Sequence, residues 1–70
     1  MILSKVQLKL DKYLDSIGVT RYKLSTDTGI RYDTIDKYYK NRIQRYDNYI
    51  LTRICDALKC DISDIIEYVK

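Results

Sequence analysis

Apolar side chains recur at steps of three and four residues along most of the chain, the spacing that is typical of amphipathic helices. The first such stripe predicts a helix that starts near Ser4 and ends at Gly18, because glycine adopts the left-handed conformation that closes helices at little cost. The residues of this first stripe are Val6, Leu10, Tyr13, Leu14 and Ile17.

The same period predicts four more helices. Thr20 is a candidate cap for a second helix of about 21–28, and a third helix is expected over about 32–40, with Ile35 and Tyr38 turned inward and Asn41 at its end. Asp47 or Asn48 is expected to cap the fourth helix, and Asp61 to open a fifth that runs to Val69. No segment alternates with period two for long enough to predict a strand. We therefore expect an all-α fold of five helices in one domain, residues 1–70.

Composition narrows the class of function. A chain of 70 residues with 46% hydrophobic and 33% charged residues suits a small globular domain with little room for a deep catalytic cavity. It contains no histidine, the commonest general base, and its two cysteines with scattered carboxylates do not form a zinc motif. No apolar run is long enough to cross a bilayer. We expect a cytoplasmic protein that is not an enzyme and uses no cofactor, metal, membrane or small-molecule ligand.

Positive charge is concentrated in the middle of the chain. The formal net charge is +3, but residues 21–53 carry eight Lys or Arg against four Asp, a local net charge of +4. The C-terminal residues 54–70 carry two Lys against four acidic residues, a local net charge of −2. On charge alone, two interpretations stay open: a surface that meets a polyanion, and a solvated basic face without a partner.

The segment from Thr20 to Asn41 has the chemistry of two short helices that cross at a steep angle. Ser25 is a small residue where the two backbones approach, Gly29 supplies the turn, and Ile30 and Ile35 provide apolar anchors after it. This is the pattern of a helix-turn-helix, whose second helix fits the major groove of DNA.

In these residues the chain resembles the Cro/CI-type helix-turn-helix domains of the XRE family, and it is most similar to their short single-domain members. The pattern T-x-x-x-L-S-x-x-T-G-I-x-x-x-T-I, which begins at Thr20, matches the family's helix two, turn and helix three. The run L-T-R-I-C-D-A-L-K-C-D-I-S-D-I-I-E-Y at residues 51–68 is similar to its last two helices. The resemblance implies a five-helix, lambda-repressor-like DNA-binding domain and a bacterial or phage transcriptional regulator.

Three positions depart from the family's pattern. Thr28 replaces an apolar residue, which predicts a more loosely packed turn. Arg21 stands where many members have a glutamine that contacts a phosphate, and arginine serves that contact with added charge. Arg31 replaces a Ser or Thr cap, so Asp33 is an alternative cap that would start helix three later.

The resemblance also implies how the residues divide between the bases and the backbone of DNA. The residues expected to face base edges are Arg31, Tyr32, Asp33, Asp36 and Lys37. The residues expected to hold phosphates are Arg21, Tyr22, Lys40, Arg42 and Arg45. The partner is then a double-stranded operator bound by a homodimer, and Ile66, Val69 and Tyr49 are candidates for the dimer contact.

A different class of function stays open. Asp33 and Asp36 place negative charge on the presumed recognition helix, where phosphates would repel it. These acids favour a protein-interaction module on the same scaffold, such as an antitoxin-like or inhibitor subunit.

Overall fold

A computed structural model describes residues 4–70 of the chain. Four α-helices form most of the fold: α1 (Leu10–Ile17), α2 (Arg21–Thr28), α3 (Tyr32–Tyr39) and α4 (Asn48–Leu58). Two short strands, β1 (Lys5–Leu8) and β2 (Ile66–Val69), come before and after the helices and pair antiparallel. A single 3₁₀ turn, Ile62–Asp64, connects α4 to β2.

Every helix contributes fully buried aliphatic side chains to one core, as the apolar spacing predicted. Burial of such side chains stabilises the fold by about 1.5–3 kcal/mol each. The largest fully buried side chains are those of Leu10, Leu14, Leu24, Ile35 and Ile54 in the helices and of Ile65 just before β2. Tyr38 also lies in the core, and its hydroxyl accepts a hydrogen bond from the backbone N–H of Asp47 (3.0 Å).

Four of the residues predicted to cap or end helices do so in the structure. Gly18 and Gly29 take left-handed conformations after α1 and α2, and the hydroxyl of Thr20 accepts a hydrogen bond from the N–H of Lys23 (3.1 Å). The carboxylate of Asp47 caps α4 by accepting from the N–H of Tyr49 (2.8 Å). Asn41, at φ +58°, is left-handed just beyond the end of α3.

The prediction of five helices was wrong at both ends of the described chain. Val6 belongs to β1, so α1 begins only at Leu10, and the predicted fifth helix is replaced by the 3₁₀ turn and β2. β2 consists of Ile66, Glu67, Tyr68 and Val69, in which β-branched and aromatic residues favour an extended backbone. The backbone groups on the inner side of each strand form hydrogen bonds with the other strand, which lies about sixty residues away in the sequence. A local sequence pattern cannot predict such a pairing.

A hydrogen bond to the side chain of Asn41 connects the strand pair to the helices. In the register of the sheet, Leu8 lies opposite Ile66 and Val6 opposite Tyr68. The side-chain Oδ1 of Asn41 accepts a hydrogen bond from the N–H of Leu8 (3.0 Å). This bond fixes β1 next to the C-terminal end of α3.

Candidate nucleic-acid interface

The turn between α2 and α3 is held by hydrogen bonds between α2 and the turn residues. The hydroxyl of Ser25 donates to the carbonyl of Ile30 (2.6 Å), and the N–H of Gly29 donates to the carbonyl of Ser25 (2.9 Å). Gly29 has φ +73°, a conformation that side chains other than glycine rarely tolerate. Ile30 and Ile35 are buried on either side of the start of α3. These contacts set the two helices as a helix-turn-helix.

The prediction of a loosely packed turn at Thr28 was wrong. Its side chain is buried, with 2% of its surface exposed. Its hydroxyl donates to the carbonyl of Leu24 (2.7 Å) and accepts from the N–H of Ile30 (3.2 Å), a donor that would otherwise be unpaired inside the turn. The threonine therefore supplies hydrogen bonds that an apolar residue could not.

The start of α3 resolves the alternative between Arg31 and Asp33. The helix begins at Tyr32, and the carbonyl of Arg31 accepts the first backbone bonds, from the N–H groups of Thr34 (3.0 Å) and Ile35 (3.1 Å). The side chain of Arg31 makes no capping bond, and Asp33 lies in the first turn, where its charge favours the positive helix end. The helix does not start later, as a cap at Asp33 would have required.

Most of the residues predicted to read bases project from α3 into solvent. The members of this set with exposed side chains are Arg31, Tyr32, Asp33 and Lys37. Asp36 differs, because its side chain is only 24% exposed and is held by two cations.

An ion-pair network joins α2 to α3 at Asp36. One carboxylate oxygen lies 2.5 Å from Nη1 of Arg21, and the other lies 3.2 Å from Nζ of Lys40. Partial burial alone would raise the pKa of this carboxyl, but the hydrogen bonds from Lys40 and Arg21 outweigh it, so the pKa of Asp36 is lowered. A residue predicted to read a base is thus paired with two residues predicted to hold phosphates.

The guanidinium of Arg21 also makes cation–π contacts with two tyrosine rings. Its Cζ lies 4.5 Å from the ring centre of Tyr39 and 6.0 Å from that of Tyr32. The hydroxyl of Tyr39 in turn donates to the carboxylate of Asp15 (3.3 Å), and burial together with that negative charge raises the pKa of Tyr39. Arg21 is therefore a fixed part of the α2–α3 packing rather than a free surface cation.

Exposed cations continue from α3 into the loop that follows it. Lys40, Arg42 and Arg45 are exposed, and Arg42 lines a shallow depression together with Asp33, Asp36 and Lys37. The predicted phosphate residue Tyr22 is exposed on α2. The basic loop therefore adjoins the exposed face of α3.

The sequence profile of the Cro/C1-type HTH DNA-binding domain family matches residues 9–70. The chain belongs to this family. The match includes all four helices and the strand β2.

Two solved structures have the same fold as this Cro/C1-type domain. The transcriptional regulator VanUg superposes with a TM-score of 0.75 at 28% identity, over 99% of this chain and 91% of that one. A proposed DNA-binding protein from Bacteroides fragilis superposes with a TM-score of 0.77 at 19% identity, over 90% of this chain and 100% of that one. None of the curated proteins is significantly similar in sequence.

Sequence reasoning missed two contributions to this surface of the Cro/C1-type domain. Arg53 of α4 donates from Nε to the carbonyl of Thr28 (3.1 Å) and so caps α2 from outside. Lys9 and Lys12 line a groove together with Arg42, and the acids Asp11 and Glu67 line the same groove. Neither contribution is indicated by the sequence, because Arg53 and Thr28, and likewise Lys12 and Arg42, are 25 or more residues apart in the chain.

The two thiols lie at the C-terminal end of α4 and just after it. Cys55 and Cys60 are free and partly buried. Burial is the main cause that raises the pKa of Cys60 to about 11, and the charge of the neighbouring Cys55 adds to it. Cys60 is followed by the 3₁₀ turn and not by an α-helix. Within residues 4–70, no three His, Cys, Asp or Glu side chains are grouped so that they could hold a metal ion.

Among the helices in this range, none is long and apolar enough to span a membrane.

Proposed function

We propose that the protein is a sequence-specific transcriptional regulator that inserts α3 into the major groove of an operator. The observation that carries this proposal is the exposed face of α3 on a helix-turn-helix of the Cro/C1-type family. That face presents Arg31, Tyr32, Asp33 and Lys37. Arginine pairs bidentately with guanine, tyrosine contacts a thymine methyl group and aspartate accepts from the cytosine amine, so the face has groups for reading several bases.

The phosphate contacts of this proposal come from the flanks of α3. Tyr22 on α2 and the cations Lys40, Arg42 and Arg45 would fix the register of the domain on the duplex. For Asp36 we propose a positioning function beside the predicted base contact: its ion pairs with Arg21 and Lys40 would orient these two cations, both predicted to hold phosphates, toward the backbone.

The affinity of such a module depends on salt. With four to six phosphate contacts, the logarithm of the binding constant should fall with the logarithm of the salt concentration at a slope of about −4 to −5 per protomer. One module covers a half-site, so a dimer on a near-palindromic operator, with half-sites about one helical turn apart, would supply the specificity.

Selection of bound sequences from a random duplex pool, followed by fluorescence anisotropy on the selected duplex, tests the proposal. Arg31→Ala and Lys37→Ala should each weaken binding by about 1–3 kcal/mol and relax the preference at one base position. Lys59→Gly is the matched control: it removes the same charge from an exposed residue whose φ of +53° suits glycine, so the domain stays folded. No enriched sequence, together with weak binding that salt does not affect, would contradict a sequence-specific regulator.

A protein-interaction module is the second candidate, favoured by the exposed carboxylate of Asp33 on α3. On that hypothesis the two alanine variants leave binding to every duplex unchanged, and the same residues are needed to hold a protein partner. The random-pool selection therefore separates the two functions.

A further inference from the structure

The two cysteines of the chain meet where α4 ends. Lys59, the residue after α4, is left-handed at φ +53°, which turns the chain back on the last turn of the helix. The N–H of Cys60 donates to the carbonyl of Cys55 (3.1 Å) and the N–H of Lys59 to that of Asp56 (3.4 Å), the two bonds of a Schellman motif. The side chains of the first and last residues of this motif commonly touch. The backbone therefore brings Cys55 and Cys60 together.

The separation of the two backbones suits a disulfide. A backbone hydrogen bond of 3.1 Å keeps the Cα atoms of its two residues within about 7 Å of each other, given standard bond lengths. Disulfides usually join Cα atoms that are about 4.4–6.8 Å apart. Both side chains also line one groove, beside Leu51, Thr52 and Ile62. A bond between the two sulfurs therefore requires little movement of the backbone.

The thiols are hydrogen-bonded in series to a tyrosine of α1. The Tyr13 hydroxyl donates to the sulfur of Cys60, and the Cys60 thiol donates to the sulfur of Cys55. Burial raises the pKa of both thiols, and that of Cys60 to about 11, whereas the hydrogen bond between them lowers the pKa of Cys55. Cys55 is therefore the sulfur that ionises more readily and attacks first.

We propose that Cys55 and Cys60 form a reversible intramolecular disulfide, with a low-molecular-weight disulfide such as oxidised glutathione as the oxidant. The Cys55 thiolate attacks one sulfur of the oxidant, and one glutathione thiolate leaves. The Cys60 thiolate then attacks Sγ of Cys55 in this mixed disulfide and releases the second glutathione. The protein loses two protons and two electrons, and the oxidant is reduced to two thiols.

The disulfide would join α4 to the segment that leads into β2. Both cysteines lie outside the set of residues predicted to contact DNA, so the proposal does not rest on DNA binding. At a pKa of about 11, only about one Cys60 thiol in ten thousand is ionised at pH 7, so exchange is slow. We therefore expect the pair to oxidise on prolonged exposure to oxidant and to return to thiols in a reducing compartment.

Equilibration of the full chain with mixtures of reduced and oxidised glutathione, read by mass spectrometry after acid quenching, tests the proposal. The disulfide form is about 2 Da lighter than the dithiol, because two hydrogen atoms leave. The same equilibrium in concentrated urea measures the pair without the fold. Because the Schellman motif already holds the two residues together, the effective concentration of one thiol at the other should be about tenfold or more higher in the folded chain.

Cys55→Ser and Cys60→Ser are the matched controls. Each keeps a side chain of similar size, and each should take up one glutathione as a mixed disulfide in place of the loss of about 2 Da. Circular dichroism checks that both variants are folded. Thermal melts give a second measurement: the oxidised original chain should melt about 5 °C or more above its reduced form, because the bond restricts the unfolded state.

Three results would each overturn the proposal. They are uptake of glutathione on both cysteines of the original chain, disulfide-linked dimers in place of the internal bond, and an effective concentration in the folded chain no higher than in urea. None of these results bears on operator selection, so failure here and failure of the proposed function are distinguishable.

Discussion

Thr28→Val tests whether the turn of the helix-turn-helix depends on a buried hydroxyl. The two side chains have nearly the same shape and helix propensity, so the substitution mainly removes hydrogen bonding. It leaves the N–H of Ile30 without its acceptor, at a cost of about 1–3 kcal/mol, and the added methyl group recovers about 0.8 kcal/mol. The carbonyl of Leu24 also loses the hydroxyl donor. We expect a net loss of about 1–2 kcal/mol from a total stability of about 4–10 kcal/mol for a chain of this length.

Urea unfolding followed by circular dichroism measures this loss. Thr26→Val is the matched control: it lies in the same helix and its hydroxyl donates to the carbonyl of Tyr22 (3.1 Å), but it is exposed, so the change should stay within about 0.5 kcal/mol. In thermal melts, the Thr28→Val domain should unfold about 5–15 °C lower than the original. If Thr28→Val is as stable as the original protein or more so, the hydroxyl does not satisfy the turn and the reasoning fails.

Two further substitutions test the core and the ion-pair network. Ile35→Ala, at a fully buried position, should destabilise the domain by about 2–5 kcal/mol in the same unfolding assay, while Ile35→Val should cost about 0.5–1.5 kcal/mol; equal effects would contradict tight packing under α3. Because the pKa of Asp36 is lowered in the folded state, its contribution to stability is present above its unfolded pKa and lost as the pH falls through the folded value, below about pH 4. The stability difference between the original protein and Asp36→Asn should therefore shrink on acidification, and a difference that stays constant from pH 7 to pH 3 would argue against the ion pairs.

The helices could be predicted because their signals are local. Thr20, Gly29 and Asp47 act within a few residues of their own position, as a cap, a turn and a cap. The apolar stripe likewise identified Leu24 and Ile35 as core residues, because a helix that buries one face repeats its pattern every turn.

The strands could not be predicted because their cause is not local. A strand of four residues carries too few alternations to distinguish from a helix turn, and Val6 and Ile66 both fit a helical stripe. What decides their conformation is the pairing of one strand with the other, and the partners lie about sixty residues apart in the sequence.

The acids on α3 show why residue type alone did not fix the roles of the site residues. In the sequence, Asp33 and Asp36 are equivalent objections to DNA binding. In the structure they differ, because Asp36 is paired with Arg21 and Lys40, whereas Asp33 has no ion pair within residues 4–70. The charge of Asp36 is thus compensated inside the domain, and its carboxylate repels a phosphate much less than an isolated one would. The compensation also draws on the cations, because Arg21 and Lys40 then have less net charge to offer a duplex. Among the cations predicted to contact DNA, those without an ion pair within residues 4–70 are Arg31, Lys37, Arg42 and Arg45. The objection to DNA binding is reduced to the single carboxylate of Asp33, which is exposed and free to accept a hydrogen bond from a base.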